Sequence, residues 1–506
     1  MKKLITLIFS LSIILIAQSQ VSKTINVTTA GTLSTLLTAT EKSTITNLTV
    51  TGNIDARDFK TMRDSLILLA DVDISETVLT EYRGNKGTND TITTLYPAFE
   101  IPVYAFGSKS LLYNDKILHS IIIPSTTKSI GDYAFQFCTN LTTINIVSSV
   151  TTIGKSAFLS CTSLSSVSIP SSVIKIGESA FLLVYCSINV DTSNPVFSSI
   201  DGVLFNKKQS ALIKYPINKV GSYNIPNTVD SISSQAFFRC SNLTAVTIPA
   251  SVKYIGTQAF SYCSGMNSVI VPASVLSMGS YVFMSSNCFI IVDDSNMNFS
   301  SAEGILFDKL KTKLIQCPTS KAALYNIPVS VNSIGNMAFR DCNSLTSIKI
   351  PSSITNIGTS AFFNCSSLSS LYVLSPNPIV LPSTSNVFYN INNASCTLYV
   401  PIGSKAKYQS ATLWKDFQNI VEMSTAVPTL SDKKVYLYPN PMTESFQISG
   451  VEGTSTVSVS DLNGKTLFSK QVLGNENISV VKLPKGRYIA KIITAEGTIE
   501  RKIIKE

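Results

Sequence analysis

Ten cysteines and a single histidine bound the side-chain chemistry open to this 506-residue chain. Cys161 lies in the stretch VTTIGKSAFLSCTSLSSVSIP (150–170). A cysteine there could be a nucleophile, half of a disulfide, a metal ligand or a rung of a core. A Ser-His-Asp or Cys-His arrangement would have to use His119, in Leu118-His119-Ser120-Ile121. A lone histidine beside an apolar strand reads as surface or packing. The chain has no Cys-x-x-Cys, no His-Glu-x-x-His, no Gly-x-Ser-x-Gly and no P-loop. Asp293-Asp294 could suggest acid–base work or a calcium site. Yet Asp191 precedes Asp293 by 102 residues, Asn194 precedes Asn296 by the same step, and Asp201 precedes Glu303. Polar residues that recur in this way belong to the architecture, as side-chain caps of loops. The sequence therefore assigns no catalytic residue, no metal ligand and no cofactor.

The elements that hold Cys161 repeat. Ile130, Ile153 and Ile176 step by 23, as do Ile232, Ile255 and Met278, and again Ile334 and Ile357. Ala-Phe follows each anchor, as in Ala134-Phe135, Ala157-Phe158 and Ala259-Phe260, with Val282-Phe283 as the variant. A longer period lies above this one: Ile130 to Ile232 and Ile232 to Ile334 are both 102 residues, each made of two 23-residue steps and one of 56. Ile153, Ala157 and Cys161 are spaced by four, which predicts one face of a short helical turn. Val167 and Ile169, two apart, predict an inward-facing strand that Pro170 ends. One such unit cannot bury its own apolar face, but stacked units can, as a solenoid with a parallel ladder. The fold class read from this is mainly β with short helical turns. In the 56-residue steps, Gly202–Asn206 and Ala211–Pro216 predict an inserted hairpin, repeated at Gly304–Asp308 and Leu314–Pro318.

The same frame carries Cys138, Cys161, Cys240, Cys263, Cys342 and Cys365, and Cys186 and Cys288 hold the place with two extra residues before them. A thiol at a repeated inward position acts as a small hydrophobe. Parallel rungs meet the Cα spacing of a disulfide but hold the Cβ atoms too far apart, which favours free thiols over paired ones. Between the inward residues stand Ser166, Ser168, Thr247, Lys349 and Tyr372, a small and neutral outward face that is the candidate ligand surface.

Composition narrows the partners. The net charge of +9 is spread thinly over a chain only 14% charged, with no Lys/Arg block, so nucleic acid is not expected. Lys2-Lys3, the apolar run Leu4–Ile16 and the small-x-small Ala17-Gln18-Ser19 read as a signal peptide cleaved between Ser19 and Gln20. No later apolar run reaches the ~20 residues of a membrane span. The mature chain is expected to carry no transmembrane segment.

The frame IG..AF..C..L..V.IP resembles the BspA-like class of leucine-rich repeat. AGTL (30–33), TNLTVTGNIDARDF (46–59) and IPVYAF (101–106) resemble the amino-terminal region of such proteins, and 398–420 their carboxy-terminal cap, with Trp414 expected to plug the open core. After a linker (424–434), Tyr438-Pro439-Asn440-Pro441 begins a region of short strands. Asn463-Gly464-Lys465 there reads as a tight turn, and Gly486-Arg487-Tyr488 leads into the last strands. This predicts a small antiparallel β-sandwich. Its order is similar to the carboxy-terminal sorting domain of type IX secretion. The expected organisation is signal peptide 1–19, amino-terminal region 20–117, solenoid 118–397, cap 398–423, linker 424–434 and sorting domain 435–506. The resemblance implies a non-catalytic surface or secreted protein of a Gram-negative bacterium, handled by the type IX machinery. It implies an adhesin for a host or matrix protein or glycan; the alternative is an architectural matrix component with no specific receptor.

Overall fold

The computed structural model describes residues 20–89, 92–108, 117–321, 323–423, 436–449, 454–461, 465–473, 476–494 and 497–506. The expected signal peptide with Ser19, the linker 424–434 and Gly464 lie outside them. The chain divides into two compact units, residues 1–398 with 409–419, and residues 399–408 with 420–506.

In the first unit the repeat begins within the amino-terminal region. Strands Ser22–Val27, Asn47–Ile54, Asp71–Asp73, Ser120–Ile122 and Thr143–Ile144 form one parallel path. Helix Ala56–Asp64 is started by a capping box, in which Asp55 accepts from the chain and Asp58 bonds back to the Asp55 N–H. The helix buries Phe59 and Met62, and Phe59 meets the Phe106 ring edge-on at 6.0 Å. From there a column of stacked rings runs through the coils: Phe106, Phe135, Phe158 and Phe181, with centroids 5.9, 5.4 and 5.6 Å apart. Tyr215, Phe237, Phe260 and Phe283 form a second run at 4.9, 4.8 and 5.6 Å. Phe339, Phe362 and Phe388 form a third at 5.0 and 5.9 Å. Trp414 is fully buried 4.9 Å from Phe388, and its Nε1 donates to the Ile379 carbonyl at 2.8 Å.

Each coil contributes to parallel ladders. Ile153 pairs with Ile130 and Ile176, Ile255 with Ile232 and Met278, and Ile334 with Ile357, all in the 23-residue register. The longer strand of the coil pairs Val246 with Val269 and Ile348 with Leu371 in the same register. The turn between the two strands differs from the helical turn that the four-residue spacing suggests. In the coil of Cys161 the bonds Ala157 N to Gly154 O, Leu159 N to Ser156 O and Cys161 N to Phe158 O are successive tight turns. Ser156 and Ser160 take positive φ of 49° and 61°, the left-handed region that non-glycine residues enter at about 1–2 kcal/mol each. Gln235 and Arg239, Gln258 and Tyr262, and Met337 and Asp341 do the same. Bonds to the next coil hold this conformation: Ser156 N, Phe158 N and Ser160 N donate to Glu178, Ala180 and Leu182 carbonyls at 2.9 Å each. Ala157, Phe158 and Cys161 are fully buried, as the spacing predicts; alternating turns, in place of a helix, bring them to one side.

The 56-residue steps hold the expected antiparallel pairs, Val203–Asn206 with Ala211–Lys214 and Ile305–Asp308 with Lys313–Gln316. A further strand precedes each, Phe197–Ile200 and Phe299–Ala302. Asn194 is fully buried beneath the first. Its Nδ2 donates to the Pro170 and Val173 carbonyls at 2.8 and 2.9 Å while its Oδ1 accepts from Val196 N and Phe197 N. Asn296 repeats these bonds with Pro272, Val275, Asn298 and Phe299. The recurring polar residues are thus structural caps, and Asp293 accepts from Ser295 N at 2.9 Å in the same way.

One inserted strand carries a buried charge. Lys214 is 6% exposed, and its ammonium reaches the Gln235 carbonyl at 3.5 Å. Burial pushes its pKa below the ordinary lysine value, with the Cys240 and Cys263 thiols facing it. The unfolded chain therefore binds this proton more tightly, and the cost shrinks as pH rises toward the unfolded lysine pKa. The equivalent residue one block on is Gln316, which donates to the Cys317 and Ala338 carbonyls at 3.2 and 3.3 Å. Lys214→Gln is expected to stabilise the fold by about 1–3 kcal/mol at neutral pH, with the gain declining in alkaline buffer. Urea unfolding at pH 7 and pH 10 checks both the sign and the trend.

In the second unit, strands Thr466–Leu473, Thr454–Ser460, Gly486–Thr494 and Gly497–Lys505 form one antiparallel sheet in that order. Tyr436–Tyr438, Ser445–Ser449 and Ile478–Ser479 form a second. Phe446 and Ile448 from the second sheet and Val457, Val459, Ala490 and Ile492 from the first belong to one core cluster, which makes the module a sandwich.

Candidate ligand face and sorting module

The longer strand of each coil turns alternate residues outward. Ser166 and Ser168 pair with Ser187 and Asn189 in the first block. In the second, Asn224 pairs with Thr247, whose hydroxyl donates to Asn224 Oδ1 at 2.8 Å. In the third, Lys349 lies between Asn326 and Tyr372. All five residues expected from the sequence thus stand on outward positions; Tyr372 is half-buried and the others are exposed. They do not converge on one point, because they belong to different coils.

The sequence reading missed the apolar part of this face. Ser268 pairs with Phe289 and Ile270 with Ile291, side by side on the outward side of the second block. Ile270 is 59% exposed, Ile291 46% and Phe289 43%. The runs Ser268-Val-Ile-Val271 and Phe289-Ile-Ile-Val292 hid them. A continuous apolar strand gives no alternation by which to tell its faces. Asn224 and Thr247 precede this patch along the same row, so small polar groups border it.

The eight repeat-position thiols, with Cys317 and Cys396, are all buried and none is in a disulfide. Cys161, Cys263 and Cys365 donate to the carbonyls of Phe135, Phe237 and Phe339 at 3.1, 3.0 and 3.0 Å. Each thiol therefore points at the preceding coil's main chain. Burial pushes the thiol pKa of Cys186 up to about 11 and of Cys240 and Cys288 to about 12, and raises those of Cys161 and Cys263 well above normal. A thiol so held is neutral at pH 7 and a poor nucleophile. Native protein is expected to resist iodoacetamide at pH 8 and to take up the label at all ten cysteines in denaturant; intact mass measures the difference. His119 is exposed, and no group of three metal-binding side chains occurs among the described residues.

In the second unit, Asn440 of the Tyr438-Pro439-Asn440-Pro441 motif grips the final strand. Its Nδ2 donates to the Lys502 carbonyl and its Oδ1 accepts from Ile504 N, both at 2.9 Å. Lys465 N donates to Asp461 Oδ1 at 3.0 Å. Gly486 opens the strand that Tyr488 follows, and the Tyr488 hydroxyl donates to the Pro484 carbonyl at 2.7 Å. The motif residues thus brace the sandwich edge. Among the described residues no helix is long and apolar enough to cross a membrane.

Residues 101–223, 215–323 and 317–409 match the BspA type leucine rich repeat region, and residues 436–506 match the secretion system C-terminal sorting domain. Among solved structures, a leucine-rich repeat protein from Eubacterium ventriosum is 22% identical over 68% of this chain and 81% of its own, at a TM-score of 0.44. The pneumococcal vaccine antigen PcpA is 18% identical over 75% and 79%, at 0.39. A leucine rich cell surface protein from Faecalibacterium prausnitzii is 22% identical over 60% and 84%, at 0.37. No curated protein sequence matches the chain. The repeat matches extend over more than half of the sequence, and with the ladders they describe, the chain belongs to the BspA-type leucine-rich-repeat family and ends in a secretion sorting domain.

Proposed function

We propose that this protein is a non-catalytic adhesin, delivered through the type IX pathway to the outer surface of a Gram-negative cell, that holds a protein or glycan ligand on its outward strand face. The observation that carries the reading is the exposed apolar row Ile270, Phe289 and Ile291, set among small neutral side chains. Contiguous exposed apolar area costs solubility and marks contact surfaces. The face is nearly uncharged, which favours apolar and hydrogen-bonding contact over electrostatic capture. An architectural protein without a receptor would need no such row, which supports the binding reading over the architectural one. Mature chain applied to immobilised matrix proteins and to glycan arrays is expected to give saturable binding to at least one of them. Uniform, non-saturating signal would favour the architectural reading.

A further inference from the structure

The turn ladder is interrupted twice. In the coils from Tyr104 to Asn364, the N–H groups of every second turn residue donate to carbonyls of the next coil: Tyr133, Phe135 and Phe137 to 155, 157 and 159, and Gln235, Phe237 and Arg239 to 257, 259 and 261. The exceptions are the last coil before each inserted hairpin. There the N–H groups of Ser179 and Phe181, and of Tyr281 and Phe283, have no acceptor among the described residues. Ser179 and Tyr281 hold the same left-handed turn as their counterparts, with φ of 56° and 61°, so the donors are formed but unused.

The coil that should follow is cut short. Tyr215 N takes the Ala236 carbonyl and Cys317 N the Ala338 carbonyl, at 2.9 and 2.7 Å. Tyr215 also stacks on Phe237, the place in the column that a missing coil's Phe would fill. The chain then leaves without building the rest of the turn. Two clefts occupy the vacated space, about 220 Å³ in the first block and about 390 Å³ in the second. Their walls correspond residue by residue at a 102-residue step: Ile176 and Met278, Phe181 and Phe283, Phe197 and Phe299, Leu204 and Leu306, Ile213 and Ile315. Side chains bridge the coils that flank each break. Ser179 Oγ donates to Gln235 Oε1 at 2.7 Å, and Ser285 donates to Asp341.

We propose that each cleft binds a short peptide segment of a protein partner, whose carbonyls take the unused N–H groups of Ser179 and Phe181, or of Tyr281 and Phe283. The occupant follows from the rest of the ladder, where main-chain carbonyls of alternate residues fill this role in coil after coil. An unpaired row of backbone donors beside a partly apolar cleft is the arrangement used when a peptide adds to a sheet edge. The site is separate from the outward face, and its test does not depend on that face binding anything.

The test is hydrogen–deuterium exchange on the mature full-length chain, with a capped heptapeptide copying residues 256–262 (GTQAFSY) as the probe. In the free protein the amides of Ser179, Phe181, Tyr281 and Phe283 are expected to exchange faster than those of Gln235 and Phe237. Saturating peptide is expected to slow them by about tenfold or more, and inorganic phosphate is expected to leave them unchanged. Ile213→Trp, which fills the first cleft, should abolish the protection at Ser179 and Phe181 and keep it at Tyr281 and Phe283. Absence of peptide protection in the unmodified protein would overturn the proposal. So would equal protection by phosphate, free-protein amides already as slow as their counterparts, or full protection in an Ile213→Trp protein of unchanged thermal stability.

Discussion

A chain truncated after residue 435 is expected to fold its repeats and to remain inside the cell envelope. The sandwich has its own buried cluster, whose members run from Met442 to Ile503. The stacked repeats are a separate set of nearest-neighbour contacts, so their stability sums over coils and does not need the last module. What the truncation removes is the matched sorting domain. Surface proteolysis and fractionation should show a loss of surface protein of about a hundredfold, with the product accumulating in the periplasm. This fold-change is an order-of-magnitude expectation for an export signal read by a receptor and not by bulk affinity. Asn440→Ala should give a weaker form of the same defect. It leaves the Ile504 N–H and the Lys502 carbonyl without their partner, at about 1–3 kcal/mol for the lost bonds. The sandwich should soften while the solenoid melts as before.

The second large effect is expected at the ring column. Phe158 is fully buried between Phe135 and Phe181, at 5.4 and 5.6 Å. Phe158→Ala removes both ring contacts and leaves a hole that rigid coils on either side cannot close. The expected cost is about 3–5 kcal/mol. Because each coil touches only its neighbours, the loss should split the unfolding of the repeats at that coil, producing a second transition in urea monitored by circular dichroism. Cys161→Ser provides the control within the same coil. A hydroxyl can keep the bond to the Phe135 carbonyl, so the cost there should stay near 1 kcal/mol. A Phe158→Ala protein that unfolds like the unmodified chain would remove the column from the account of stability.

Much of this was legible in the residues because the fold is periodic. The 23-residue step set which side chains share a rung, and Cys138 and Cys161, like Cys240 and Cys263, are buried where it placed them. The polar caps were legible for the same reason, since Asn194 and Asn296 recur with the block. Three features were not. The left-handed turn residues include Arg239 and Met337, types with no preference for that conformation; bonds to the Ser261 and Thr359 carbonyls of the next coil hold them there, and no local pattern records a contact 22 residues away. Strand Phe197–Ile200 is half serine and too short to alternate clearly. The outward position of Ile270, Phe289 and Ile291 depends on register with neighbouring strands, because their own runs are apolar on both sides.

The face carries the central claim, and it can be tested by charge. Placing lysine at Ile270 and Ile291 together adds two solvated ammonium groups to an exposed surface, so folding should change little, while an apolar ligand contact should not survive the desolvation. The measurement is equilibrium binding of the mature chain and of the Ile270→Lys, Ile291→Lys double variant to the ligand found by the matrix-protein and glycan screens. The account predicts affinity weaker by about a hundredfold or more in the double variant, with unchanged thermal unfolding. Equal affinity of the two proteins would contradict it and place the binding surface elsewhere on the repeats.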